Sequence, residues 1–137
     1  RKRLYGLTAE ARTRSPVSAG IYTAQATGQT YARLRELAQL VLTAGYPVIV
    51  DATFLKKQQR HDFKQLAETL GVPFVIFNFQ APEEIMRARI KQRAQLGHDA
   101  SEADLAVLDA QLQGCETVTD DEAVHILTID TRVSVPA

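Results

Sequence analysis

An acid and a hydroxyl follow an apolar run in the first half of the chain. Residues 48–50 are aliphatic, Asp51 comes next, and Thr53 stands two residues later. Such a run is typical of a buried parallel strand, so Asp51 and Thr53 are expected where that strand reaches the surface. A desolvated carboxylate needs a partner such as a metal ion, which makes Asp51 a candidate metal ligand. Either residue could instead cap a turn or the next helix.

A second group of candidate residues is basic and lies in one predicted helix. This helix is expected to begin at Pro82, because proline suits a first helical turn, and to end near Leu96. Its cations are Arg87, Arg89, Lys91 and Arg93. Arg89 and Arg93 are four residues apart and therefore share a helix face. Guanidinium groups match phosphate oxygens and could neutralise charge on a transferring phosphoryl group, although a solvated basic face is the simpler interpretation.

Hydrophobic periodicity predicts alternating helices and strands around these candidates. Helices are expected at 24–44, along a stripe that ends at Leu70, at 82–96, and along a stripe through Leu112 after a capping box at 101–104. Strands are expected at 48–52, 73–79 and, after an acidic loop at 120–122, at 124–130. A strand, a helix and a strand within about thirty residues form a parallel βαβ unit. Ligands bind outside the carboxyl ends of such strands, where Asp51 and Thr53 lie.

Composition favours one globular α/β domain. The chain has 137 residues and 45% hydrophobic content, which can supply a core. Its 16 basic and 16 acidic residues balance, which argues against a nucleic acid or an anionic membrane as partner. There is no stretch of about 18 apolar residues, and the single cysteine cannot form an intrachain disulfide, so we expect a cytoplasmic protein. The three histidines lack the spacing of a metal site.

Four segments in this order resemble a known family. They are Val-Ile-Val-Asp-Ala-Thr-Phe at 48–54, Ala-Pro-Glu-Glu at 81–84, Arg-x-Arg-x-x-x-Arg at 87–93 and Asp-Ala-Ser-Glu-Ala-Asp at 99–104. Together they resemble the predicted P-loop kinases often fused behind an aminoglycoside-phosphotransferase-like domain. More distantly, the chain is similar to zeta toxins and to the kinase domain of phage polynucleotide kinase. The resemblance covers nearly the whole chain.

The resemblance implies a fold, two cofactors and roles for individual residues. The implied fold is a three-layer α/β/α P-loop NTPase of the nucleoside and nucleotide kinase type, with a mainly parallel sheet, and the implied cofactors are ATP and Mg²⁺. Asp51 matches the acid beside the magnesium-bound phosphates. Arg89 and Arg93 match the arginines of a lid, at about 87–104, that closes over ATP. Arg1, with Arg3 as second choice, matches an arginine that orients the phosphate acceptor. Thr53 is also expected to be a substrate-binding residue.

One motif of the family is missing from this sequence. The phosphate loop, Gly-x-x-x-x-Gly-Lys-Ser/Thr, occurs nowhere in the 137 residues. In the family's strand order, 2-3-1-4-5, the absent first strand would lie between the strands expected at 48–52 and 73–79. We therefore interpret residues 1–137 as a single partial domain, incomplete at its N-terminus by roughly forty residues or more, the size of a βαβ unit. A gap in the middle of the sheet is expected.

The function implied is phosphoryl transfer. The chain is expected to be the C-terminal portion of an ATP-dependent phosphotransferase whose acceptor is a hydroxyl of an unknown small molecule or polymer end. Its expected partners are that acceptor and an upstream segment or domain of the same chain, and the 137 residues alone should have little kinase activity. The alternative is a non-catalytic nucleotide-binding or interaction module.

Overall fold

The computed structural model describes residues 2–8, 23–96 and 104–132 of the chain, and Leu96 only by its backbone. A short 3₁₀ helix at Lys2–Tyr5 precedes the regular elements. These are α1 (Ala24–Thr43), α2 (Lys57–Leu70), β1 (Ile76–Gln80), α3 (Glu83–Leu96), α4 (Leu105–Gly114), α5 (Asp120–Ala123) and β2 (Ile126–Asp130). The four long predicted helices are confirmed, with small shifts at their ends.

The helix ends follow from residues with specific capping chemistry. The hydroxyl of Thr23 accepts a hydrogen bond from the amide of Ala26 (3.1 Å) and so caps α1. Helix α2 ends at Gly71, which adopts the left-handed conformation with φ 66°. Asp104 caps α4 by accepting from the amide of Val107 (2.9 Å). The predicted capping box therefore ends at the residue that caps the helix, while its first residue, Ser101, lies outside the described residues.

The sheet of the described residues consists of β1 and β2, which run parallel. Their register places Ile76 opposite Ile126 and Gln80 opposite Asp130. The ladder continues at the carboxyl end, where the amide of Thr131 donates to the carbonyl of Gln80 (2.8 Å). Both strands therefore end at one edge of the sheet, as parallel strands do. The strands are shorter than expected, since β1 begins at 76 and β2 at 126, and the predicted acidic loop at 120–122 falls in the short helix α5.

The prediction of a strand at 48–52 is wrong for the described structure. Residues 46–51 have no regular secondary structure there. A strand needs a hydrogen-bonding neighbour, and in the described part of the chain the sheet contains only β1 and β2. The aliphatic residues of this segment therefore have the composition of a buried strand without a strand partner.

An open cavity of about 820 Å³ lies between helices α1 and α2, the segment 47–52 and the chain that leads into β1. Its lining is mainly apolar and includes Val48, Val50, Phe74, Phe77 and Phe79. Ile49, also in the lining, is 88% exposed. The cavity thus lies against both segments between which the sequence predicts a gap in the sheet.

The buried core lies where α1 and α2 cross. Ala38 from α1 and Phe63 and Leu66 from α2 are its buried members. Around them pack partly buried residues from α1, the 48–54 segment, the end of α2 and the chain that leads into β1: Tyr31, Leu34, Val48, Val50, Phe54, Leu70 and Phe74. Packing against both helices therefore holds the 48–54 segment in place without ladder hydrogen bonds. In the parts of the chain that the structure describes, no helix combines the length and the hydropathy needed to cross a membrane.

We expect Leu66→Ala to lower the free energy of unfolding by about 2–5 kcal/mol, because it opens a void in the α1–α2 core. Leu66 is only 3% exposed, whereas Leu40, on the outer face of α1, is 63% exposed. Leu40→Ala is the matched control and should change the free energy by no more than about 0.5 kcal/mol. Urea unfolding of both variants measures the difference, and equal losses would contradict this location of the core.

Candidate functional site

A bend in the chain at residues 51–54, called the turn below, carries the acid and hydroxyl that the sequence singled out. Asp51 and Thr53 are exposed, and Phe54 adopts φ 45°, in the left-handed region. That conformation costs a bulky residue about 1–3 kcal/mol and persists only where its surroundings hold it. The turn is therefore determined by its contacts and not by local preference.

Aromatic packing supplies one set of those contacts. The ring of Phe54 lies edge-on to Tyr31 (5.3 Å between ring centroids) and to Phe63 (5.2 Å). Each edge-to-face pair is worth about 0.5–1.5 kcal/mol beyond the burial of its surface. Because Tyr31 belongs to α1 and Phe63 to α2, the ring of Phe54 fixes the turn against both helices.

Hydrogen bonds to side chains hold both backbone groups of Phe54. Its amide donates to the hydroxyl oxygen of Tyr31 (2.9 Å), and its carbonyl accepts from Nη1 of Arg60 (3.1 Å). The Tyr31 hydroxyl also makes a long contact of 3.4 Å with Oγ1 of Thr53. Each such bond contributes about 1 kcal/mol, so the two bonds and two ring pairs together can offset the strain at Phe54.

A buried ion pair lies behind the turn. Arg60 on α2 is 5% exposed and Glu122 on α5 is 7% exposed. Nε of Arg60 donates to Oε1 of Glu122 (2.6 Å), and Nη2 donates to Oε2 (2.9 Å). The guanidinium also donates to the carbonyls of Glu116 (3.2 Å) and Thr117 (3.4 Å). The two-pronged geometry and the extra acceptors are what a buried charge pair requires to be stable.

The pair shifts the titration of its acid. The hydrogen bond from Arg60 lowers the pKa of Glu122 to about 2, against the opposing effect of burial. The amide (3.2 Å) and hydroxyl (3.0 Å) of Thr119 also donate to Glu122 and act in the same direction. Glu122 correspondingly raises the pKa of Arg60. Both groups are therefore charged throughout the physiological pH range.

Sequence reasoning missed Arg60 and Glu122. One signal was present: Arg60 lies three residues before Phe63 and seven before Ala67, on the apolar stripe of α2. A cation on a core-facing stripe requires a buried partner. Nothing in the pattern identified that partner, since Glu122 is 62 residues away in an acidic cluster that was predicted to be a loop.

Asp51 lies on the rim of the apolar cavity. It contributes to the lining together with Phe54, Phe77 and Phe79. Within the described residues, no hydrogen bond or ion pair engages its carboxylate, and no three His, Cys, Asp or Glu side chains come together as a metal site. Asp51 therefore offers a single carboxylate, which fits Mg²⁺ in a site that phosphates and waters complete.

Arg89 lies at the carboxyl edge of the sheet. Its Nη1 donates to Oγ1 of Thr131 (3.2 Å), and its Nη2 donates to the Thr131 carbonyl. Oγ1 of Thr131 in turn donates to the carbonyl of Gln80, the last residue of β1 (2.9 Å). Arg93, one turn further along α3, is exposed. The predicted pair of arginines thus begins at the edge where ligands of parallel sheets bind.

Arg87 has a different environment from these two arginines. It donates to Glu83 on its own helix (2.7 Å) and to Asp109 on α4. The bond to Glu83 is the main reason why the pKa of Arg87 is raised. Arg87 therefore joins α3 to α4. The middle of the predicted lid, residues 97–103, lies outside the described residues.

The predicted acceptor residues are only partly described. Arg1 lies outside the described residues. Arg3 is exposed in the 3₁₀ helix, which contacts α1 where the hydroxyl of Tyr5 donates to Gln29 (3.1 Å). The structure places Asp51 and Thr53 in one turn, but among the described residues no hydrogen bond or ion pair joins Arg3 or Arg89 to that turn. The site residues are therefore distributed over three elements.

These residues fit part of a magnesium–nucleotide site. A carboxylate suits the metal and guanidinium groups suit phosphate oxygens. A cradle of backbone amides for the phosphates, of the Gly-x-x-x-x-Gly-Lys-Ser/Thr type, is not encoded in the 137 residues. The acid and the arginines thus fit the group, while the cradle would have to come from other residues.

The described helices and the parallel pair of strands are consistent with an incomplete α/β fold of the P-loop type. The chain belongs to the AAA domain family, whose family model matches residues 1–118. This is a family of nucleotide-binding P-loop domains, which generally bind ATP and Mg²⁺. The match confirms the predicted membership of the P-loop NTPases and the predicted α/β fold class. Comparison with curated proteins gives no match.

We expect Glu122→Gln to lower the free energy of unfolding at pH 7 by about 3 kcal/mol, because it leaves the Arg60 charge buried without its counter-ion. The pKa of Glu122 is near 4.5 unfolded and about 2 folded. Its contribution is therefore complete above about pH 5 and is lost as pH falls from about 4.5 toward 2. Urea unfolding at pH 7 and pH 3 is the measurement. The difference in the free energy of unfolding between wild type and variant should be smaller at pH 3 than at pH 7.

Glu68→Gln is the control for this experiment, because Glu68 is an exposed acid on the same helix as Arg60. It should leave stability nearly unchanged at both pH values. The role given to the ion pair would be contradicted if Glu122→Gln lowered the free energy of unfolding only slightly at pH 7. It would also be contradicted if the loss were as large at pH 3 as at pH 7.

Proposed function

We propose that this chain is part of an ATP-dependent phosphotransferase that passes the γ-phosphoryl group of ATP to a hydroxyl of a small molecule or polymer end. The observation that carries the proposal is the exposed Asp51 carboxylate on the cavity rim of a chain from a nucleotide-binding P-loop family. A carboxylate in this position would suit a magnesium ion that neutralises phosphate charge.

Asp51 would hold the magnesium, directly or through water. When bound, the metal supplies Lewis-acid polarisation of the phosphate oxygens. Asp51 lines the cavity together with several phenylalanine residues, and its carboxylate is exposed and so accessible to a metal ion. Thr53, two residues beyond Asp51 and exposed, would contact the acceptor, and Arg1 or Arg3 would help to orient it.

Arg89 and Arg93 would neutralise charge on the phosphate oxygens from the side of α3. Arg89 is bound to the hydroxyl and carbonyl of Thr131, so it would have to exchange these neutral acceptors for phosphate. The exchange is favourable in principle, because a guanidinium binds a charged oxygen about twice as strongly as a neutral one. Catalysis would then rest on positioning and on charge neutralisation.

A non-catalytic nucleotide-binding module is the second candidate function. The engagement of Arg89 with Thr131 favours it, because an arginine that stays at the sheet edge cannot follow charge onto a transferring group. In such a module ATP would bind through Asp51 and the metal while γ-phosphoryl transfer would not occur. The two candidates therefore differ in what Arg89 does and not in what Asp51 does.

We expect Asp51→Asn, made in the protein at its natural length, to weaken magnesium-dependent ATP binding by about tenfold or more, because it removes the charge that holds the metal. ATP affinity without magnesium should be unchanged. Asp120→Asn removes another exposed acid, on α5, and is the matched control. Calorimetric titration with and without Mg²⁺ measures both affinities. Equal magnesium-dependent affinity in Asp51→Asn and wild type would contradict the role of Asp51.

We expect Arg89→Ala to lower the rate of γ-phosphoryl transfer by a larger factor than it lowers ATP affinity, since its charge would act mainly on the transferring group. Lys91→Ala, on the same helix and also exposed, is the control. Transfer from γ-labelled ATP to a panel of hydroxyl compounds is the measurement. ATP binding without transfer to any acceptor, and no effect of Arg89→Ala, would identify the non-catalytic module.

A further inference from the structure

The hydroxyl of Tyr31 is the one atom of its side chain that core packing does not explain. The ring lies on the apolar stripe of α1 and packs beside the buried core, as a phenylalanine would. The hydroxyl oxygen instead accepts from the amide of Phe54 (2.9 Å) and lies 3.4 Å from Oγ1 of Thr53. Tyr31 therefore contacts the turn through its polar end and the core through its ring.

The turn depends on this contact because its sequence does not favour its shape. Phe54 is neither glycine nor asparagine, the residues that adopt a positive φ most readily, yet its φ is 45°. Arg60 holds the Phe54 carbonyl, so the Tyr31 hydroxyl and the Arg60 guanidinium together hold the two ends of one strained residue. Removing either bond frees the peptide groups of the turn to rotate.

The direction of Asp51 follows from that constraint. Asp51 precedes Phe54 by three residues and lies on the cavity rim with an exposed carboxylate. Rotation at Phe54 would move the peptides that connect it to Asp51, and a shift of about 1 Å is enough to weaken a metal or phosphate contact. The turn thus transmits the position of α1, through Tyr31, to the carboxylate.

We infer that Tyr31 is a positioning residue for the magnesium–nucleotide site: through its hydroxyl it fixes the strained turn at Phe54 and so aims Asp51 at the metal. This inference rests on the proposed function. Tyr31 lies on α1 and is remote in sequence from Asp51. Its effect on metal-dependent binding would act only through Asp51.

The test compares Tyr31→Phe with wild type in the protein at its natural length. Tyr31→Phe should weaken magnesium-dependent ATP binding by about tenfold, the usual effect of losing a group that orients a metal ligand. ATP affinity without magnesium should not change, because the ring still fills its place in the core. Tyr46→Phe removes the hydroxyl of a tyrosine that is 68% exposed and is the matched control.

A double variant separates positioning from a general structural effect. In the Asp51→Asn background, Tyr31→Phe should have no further effect on magnesium-dependent affinity, since the hydroxyl acts through Asp51. A loss of equal size in both backgrounds would overturn the inference, as would a lower melting temperature of Tyr31→Phe with unchanged magnesium dependence. If Asp51→Asn weakens magnesium-dependent ATP binding and Tyr31→Phe does not, only the inference is refuted. If Asp51→Asn has no effect on that binding, the proposed function is refuted as well.

Discussion

The buried ion pair of Arg60 and Glu122 is the interaction on which the described structure most depends. Its guanidinium is the meeting point of three segments: α2, which carries it, the turn at Phe54, and the chain from Glu116 to Glu122. Removing one partner of a buried charge pair is strongly destabilising, because the remaining charge is left desolvated and uncompensated. The three segments are therefore held together as a unit, and each of them can move only at the expense of the pair.

The two parts of the candidate site are connected through this unit. On one side, Arg60 holds the turn that presents Asp51 at the cavity rim. On the other, Glu122 belongs to α5, which leads directly into β2, and the residue after β2 is Thr131, which binds Arg89. One charge pair thus joins the turn beside Asp51 to the segment of chain that continues through β2 to the residue that binds Arg89.

The sequence pattern predicted those elements that depend mainly on interactions between residues close in sequence. The helical periodicity of 24–44 predicted α1 nearly residue for residue, and the apolar stripe that ends at Leu70 predicted the end of α2 but not its beginning at Lys57. Helices are predictable in this way because they satisfy their own backbone groups. The aliphatic run at 48–50 was interpreted as a strand and is not one in the described structure, since pairing depends on a neighbour that the run itself does not encode. The strained conformation of Phe54 and the partner of Arg60 were not predicted for the same reason, because both depend on contacts between residues that are distant in sequence.

The central claim is that this held turn presents Asp51 to magnesium-bound ATP. Backbone amide chemical shifts of the protein at its natural length, followed by NMR as MgATP is added, test it most directly. We expect the largest shift changes at residues 51–54 and smaller ones at Arg89 and Thr131. The changes at 51–54 should disappear when ATP is added without magnesium. Binding of MgATP that leaves the amides of 51–54 unmoved would contradict it.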